Sequence, residues 1–236
     1  MPLENKVHTL IISDVHLGAI ISRAEALAEL LSSMEFERLI LLGDFFDNSH
    51  FKRLNQSHWK LLSLIQTFSD PESGREVIWV RGNHDKKTAS AMAHMVGARV
   101  VDEYAWEQGG KRFLSIHGDR FARVFVLNDF LERIGQHIFY FLQYFDKKSR
   151  HIVKLFDKSH SYIRRLSKKV ASGAIQYAKE NNAEYVFCGH THKPMYKEHK
   201  DGDKSIHYYN TGCWTQAPST FVTISEKGEI TLQSFE

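Results

Sequence analysis

Five short segments of this chain each close an apolar run and end in oxygen and nitrogen donors. In order they are Ser13-Asp14-Val15-His16, Gly43-Asp44-Phe45-Phe46-Asp47, Gly82-Asn83-His84-Asp85, His117-Gly118-Asp119 and Gly189-His190-Thr191-His192. The stretches leading in, such as residues 9–12, 39–42 and 77–80, read as buried strands. Donors placed at the carboxyl ends of several strands converge on one site when the strands share a rigid sheet, which is where open α/β sheets place their chemistry. Taken alone, a Gly-Asp or His-Gly is usually a turn, and a lone Asn-His-Asp usually opens a helix. Five in this order, each after a strand, point to a single metal pocket in an α/β fold.

The donor types narrow the chemistry. Carboxylate, imidazole and amide oxygen suit Mn, Fe, Zn or similar divalent ions, and the lack of thiolate argues against a structural zinc knot. One ion takes only three or four protein ligands, whereas a pair of ions sharing a carboxylate uses the whole set. The segments resemble the calcineurin-like metallophosphoesterase superfamily, whose pattern is D-x-H, G-D-x-x-D, G-N-H-D/E, H and G-H-x-H. All five blocks match between Asp14 and His192. The resemblance implies a sandwich of β-sheets flanked by helices. It assigns Asp14, His16, Asp44 and His192 to a first metal, and Asp44, Asn83, His117 and His190 to a second. It also makes His84 a non-ligating catalytic imidazole and Asp47 the carboxylate that orients it. An Asp–His pair fixes the tautomer and suits an acid working near neutrality. Asp85 and Asp119 are expected to hydrogen-bond loop amides. The other nine histidines, His50 and His58 included, are expected on the surface or in packing.

Charge is unevenly spread. Residues 120–169 hold twelve Lys or Arg against four Asp or Glu, while the rest holds 19 basic and 24 acidic residues. The same stretch contains seven of the sixteen phenylalanines. Its apolar residues recur at three- and four-residue steps, which is a helical pattern. Residues 134–145 lack formal charge but are too short and too polar to span a bilayer. A basic, aromatic helical insertion can lie on an anionic membrane, hold a lipid, bind nucleic acid or simply pack. Packing explains most of the phenylalanines, and acyl-chain binding with cations on phosphate fits the remainder. The candidate substrate contacts are Asn48, Arg120, Arg123, Phe125 and Phe141.

The remaining chain alternates regularly. Ser22-Arg23-Ala24-Glu25 has the pattern of a capping box opening a helix to about Met34. Further helices are expected over residues 54–68, 89–96 and 167–181. Hairpins are expected at Gly109-Gly110, at Asp201-Gly202 joining residues 195–199 to 206–210, and at Lys227-Gly228. The 236 residues suffice for one domain with the 120–169 insertion inside it. Cys188 and Cys213, both beside motif loops, read as buried thiols in a reducing compartment. Without an apolar signal core at the start, a cytoplasmic location is expected, with peripheral contact at the inner face of the cytoplasmic membrane.

Within the superfamily, the long helical insertion before Gly-His-Thr-His-Lys-Pro resembles the UDP-2,3-diacylglucosamine hydrolase group, whose members cleave a diphosphate, usually with manganese. Residues 208–214 resemble it more loosely. One departure stands out: the best-known members carry Arg where His84 stands. The reading is a hydrolase with two divalent ions, Mn²⁺ first and Fe or Zn next, acting on a phosphorylated small molecule or lipid. A nucleotide or nucleic-acid phosphodiesterase is the alternative enzyme. A non-catalytic membrane scaffold is the alternative from another class, disfavoured by the intact donor set. No protein partner is inferable.

Overall fold

The computed structural model describes residues 6–122 and 153–236, and side chains of the second stretch from residue 163 onward. Two sheets face each other. The first is six-stranded in the order β11-β10-β1-β2-β3-β4, and the second is five-stranded in the order β5-β6-β7-β9-β8. The first contains β1 (Lys6–Ile12), β2 (Glu35–Leu42), β3 (Glu76–Val80) and β4 (Arg99–Val101), all parallel. Antiparallel β10 (Ser219–Ile224) and β11 (Ile230–Phe235) complete it. In the second, β6 (Lys111–Ile116), β7 (Tyr185–Cys188) and β9 (Lys204–Asn210) run parallel. They are flanked by antiparallel β5 (Glu103–Gln108) and β8 (Met195–Asp201).

The unbroken apolar runs follow from burial on both faces, as in parallel sheets covered on each side. Alternate residues of β1 to β3 divide between two cores. Leu10, Ile12, Leu39, Leu41, Val77 and Trp79 pack outward with the helices α1 (Ala24–Ser33), α2 (Gln56–Ser69) and α3 (Ala89–Val96). Ile11, Ile40, Leu42, Ile78 and Val80 point inward and meet Tyr104, Trp106, Phe113 and Phe187 of the second sheet. Those rings stack at centroid separations of 5.1–6.3 Å, within the range that adds to plain burial. The outer face of the second sheet is covered by α5 (Val153–Glu180), through Val170, Ala171, Ala174, Ile175 and Ala178. The short α4 (Asp119–Ala122) packs against α5.

Several expectations shift in detail. The expected capping box at Ser22 does not form: α1 starts at Ala24 with Arg23 before it and no side-chain cap. Ser22 lies one residue too early, and its Oγ donates to the Val15 carbonyl at 2.7 Å, bracing the first motif loop. The box is found instead at α2, where Asn55 Oδ1 accepts the His58 amide and His58 Nδ1 accepts the Asn55 amide. His58 is thereby a buried cap. The helix expected from residue 167 begins at Val153, so the end of the 120–169 insertion is continuous with a helix packed on the sheet. Residues 123–152 lie outside the described residues, and with them Arg123, Phe125, Phe141 and the middle of the 120–169 insertion. Among the described residues, no helix is long and apolar enough to cross a membrane.

Candidate metal centre

All five motif segments leave the carboxyl ends of strands. Asp14 and His16 follow β1, Asp44 and Asp47 follow β2, and Asn83 and His84 follow β3. From the second sheet, His117 follows β6, while His190 and His192 follow β7. The site therefore lies where the ends of both sheets meet.

Among the described residues the donors gather in three groups, one of them His16, Asp47 and His84. Asp14, His16 and His192 offer ligand atoms close to one another, and Asp44, His117 and His190 form a second set. In the first, His192 Nε2 lies 3.1 Å from both Asp14 Oδ1 and His16 Nε2. In the second, His117 Nε2 lies 3.2 Å from Asp44 Oδ2 and 3.2 Å from Asn83 Oδ1. Asp44 Oδ2 is also 4.0 Å from His16 Nε2, so this one oxygen reaches both groups. His117 Nδ1 donates to the Leu42 carbonyl at 3.0 Å, which leaves Nε2 for the site.

Backbone geometry marks the same residues. Among the described residues, six that are not glycine have positive φ, and five of them are Asp14, His16, Asp44, His190 and His192. Such strain concentrates at functional sites, where the surroundings over-determine it. The loops are also packed too tightly for side chains at motif glycines such as Gly82 and Gly189. A Cβ on Gly82 would run into the Asp44 carboxylate and amide, and one on Gly189 into the Asp14 carboxylate. Asp85 ties the second and third loops together, accepting from the amides of Phe45 and Gly82 at 2.9 Å and from Trp79 Nε1 at 3.2 Å. The donor set, the strain and the grouping all fit divalent cations held by these residues.

Asp47 stands differently from its expected role. His84 Nδ1 donates to the Asp47 main-chain carbonyl at 2.7 Å. The Asp47 carboxylate instead places Oδ1 3.6 Å from His16 Nδ1, while Oδ2 accepts from Asn48 and Arg53. The expected orientation of His84 is thus supplied by a neutral carbonyl, because the loop turns the carboxylate toward His16. The His84 ring lies edge-on to His16 with centroids 4.9 Å apart and stays partly exposed.

Two candidate substrate contacts have structural partners. Asn48 spends its amide nitrogen on Asp47 and its oxygen on the His50 amide, both at 2.8 Å. Arg120 pairs with Glu103 at 2.6 Å and lies over the Tyr177 ring, which joins α4 to β5 and α5. Sequence reasoning did not single out Asn210, whose Nδ2 donates to the Gly189 carbonyl at 2.6 Å and whose Oδ1 accepts the Gly212 amide. The Asn-Thr-Gly context was the available signal. Arg53, at the rim, was also missed, since a Lys-Arg pair reads as ordinary surface.

Electrostatics couple the groups. Burial alone would lower the His117 pKa, but the charge and hydrogen bond of Asp44 outweigh it and raise it to about 10. Burial likewise opposes the charge on His16, and hydrogen bonds to Asp14 and Asp47 raise it to about 9. His190 goes the other way: burial, with the His117 charge, lowers it to about 4. Groups with raised values stabilise the fold most below their unfolded value near 6.5 and lose that contribution as pH rises through 9 to 10. The depressed His190 costs stability as pH falls from 6.5 toward 4. Chelator-treated protein should therefore have its highest melting temperature in the neutral range and lose stability between pH 7 and 10. Metal binding, which needs neutral imidazoles, should tighten over the same interval. Calorimetric melts at stepped pH check this, and a flat profile above pH 7 would contradict the pairing.

The calcineurin-like phosphoesterase family profile matches residues 7–194. A UDP-2,3-diacylglucosamine hydrolase from Photorhabdus laumondii subsp. laumondii is 27% identical over 233 residues, covering 90% of this chain and 93% of that protein. A solved Vps29 variant from Entamoeba histolytica aligns at a TM-score of 0.46 and 13% identity, covering 97% of this chain and 99% of that one. The solved protein TT1561 of Thermus thermophilus aligns at a TM-score of 0.47 and 11% identity, with 97% and 99% covered. The profile spans all five donor segments, and this chain belongs to the calcineurin-like phosphoesterase family, as a metal-dependent phosphoesterase.

Proposed function

We propose that the protein hydrolyses the diphosphate of a UDP-2,3-diacylglucosamine-like nucleotide-sugar lipid, with Asp14, His16, Asp44, Asn83, His117, His190 and His192 holding two manganese ions. The observation that carries this is the relative of that activity, aligned over nearly the full length of both chains. Bound there, divalent ions would polarise a phosphate oxygen and lower the pKa of a water. The protein's own groups do the rest. Asp44 Oδ2, within reach of both histidine groups, sets the spacing of the pocket. His84, its Nδ1–H held by the Asp47 carbonyl, leaves Nε2 facing away from that bond, and as an imidazolium it would give its Nε2 proton to the departing oxygen and return to the neutral Nδ1–H form. The basic, phenylalanine-rich 120–169 insertion would hold the acyl chains and rest on anionic lipid at the cytoplasmic face of the membrane.

The test is a substrate series with manganese present: UDP-diacylglucosamine of stepped acyl length, a non-acylated UDP-sugar, and single-stranded DNA. Each methylene removed from the acyl chains should raise KM by a factor corresponding to at most about 0.8 kcal/mol. Turnover indifferent to acyl length, with DNA cleaved faster, would replace this reading with a nucleic-acid phosphodiesterase.

A further inference from the structure

Arg53 ends the short 3₁₀ turn Phe51–Arg53 that leads from the second motif segment into α2. Its Cβ lies 3.7 Å from where a Cβ on Gly18 would stand, so its stem rests against the loop leaving His16. Its head meets the other loop, with Nη1 donating to Asp47 Oδ2 at 3.2 Å. Asp47 in turn sets its other oxygen 3.6 Å from His16 Nδ1. One carboxylate therefore separates this guanidinium from the metal pocket.

The anchorage is loose for an arginine with a purely structural task. Asp47 Oδ2 already accepts from Asn48 at 2.8 Å, and Arg53 adds one longer bond to the same oxygen rather than a two-bond fork. The Arg53 side chain is 46% exposed, against 9% for Asp47. Half-exposed pairs of this kind contribute little to stability. Among the described residues, no second acceptor is bonded to the guanidinium, so its remaining N–H donors are available at the rim. Lys86 and Lys87 are exposed on the loop after His84, whose ring is itself bonded to Asp47. With Asp14, Asp44 and Asp47 lining the pocket, a second substrate phosphate needs cations outside it, and a planar guanidinium matches phosphate in geometry.

We propose that Arg53 forms an anion subsite that receives the phosphate which is not cleaved, while the metal pocket takes the one that is. This rests on the reading of the substrate as a diphosphate. The test is calorimetric titration of manganese-loaded protein with UMP and with UDP, comparing wild type, Arg53→Ala and Arg53→Lys. Arg53→Ala should weaken UDP by roughly tenfold or more and change UMP by less than about twofold, since one charge-assisted contact is removed from one ligand only. Arg53→Lys should recover part of the loss, as a point charge without the fork. Metal content should stay at the wild-type level. If UMP and UDP weaken together, or metal content falls, Arg53 acts only as a support for Asp47 and the subsite is overturned. Unchanged UDP affinity overturns it equally. Because nothing here is read from turnover, a failure to cleave nucleotide-sugar lipids would sink the substrate reading without deciding this one.

Discussion

Asp44→Asn should reduce phosphodiester hydrolysis below detection and lower the metal content from about two ions per chain to one or fewer, while the protein stays folded. Asparagine has nearly the same shape, and its carbonyl oxygen can still accept the His84 amide that Asp44 Oδ1 holds at 2.8 Å. The other half of the side chain decides the outcome. Oδ2 lies 3.2 Å from His117 Nε2 and 4.0 Å from His16 Nε2, and the substitution puts an NH₂ donor there in place of an anion. Two cations that shared a negative oxygen would then face a positive dipole. The metal-free variant offers an independent reading: without the Asp44 charge, His117 loses the main influence that raises it. The fall in melting temperature above pH 7 should therefore shrink. A fully active Asp44→Asn protein that keeps both ions would remove the shared-carboxylate arrangement altogether.

How much of this was legible beforehand follows from which forces act locally. The strands before each motif are continuous apolar runs, so their existence and the order of donors along the chain could be read directly. The gathering of the donors into groups is geometry between two sheets, and only their resemblance to a known pattern suggested it. The split of the apolar runs between two cores was hidden, because residues buried on both faces carry no alternation to read. Ser22 shows the opposite error. Its capping-box pattern was sound as local chemistry, yet a carbonyl of the first motif loop took its hydroxyl. Asp47 shows the subtlest case. Residue spacing brings it beside His84, but whether carbonyl or carboxylate makes the bond depends on a loop that also has to satisfy His16, Asn48 and Arg53.

That difference at Asp47 shapes the expected result for His84→Ala. The variant should keep both metals and lose roughly 10²–10⁴-fold in turnover, the range of a positioned general acid. Retention of metal is expected because the groups that contain Asp14 and Asp44 do not include His84, which gathers instead with His16 and Asp47, and its main-chain amide, which alanine keeps, makes the bond to Asp44. The Nδ1–H is fixed by a carbonyl, so Nε2 is the only ring nitrogen left to reach a leaving oxygen. Substrates with activated aryl leaving groups need no proton and should lose much less than alkyl or sugar phosphates. Asp47→Asn separates the two parts of that residue: its carbonyl, and hence the hold on His84, survives, while the carboxylate contacts to His16 and Arg53 change. Equal losses for good and poor leaving groups in His84→Ala would assign the imidazole to positioning the substrate rather than to proton transfer.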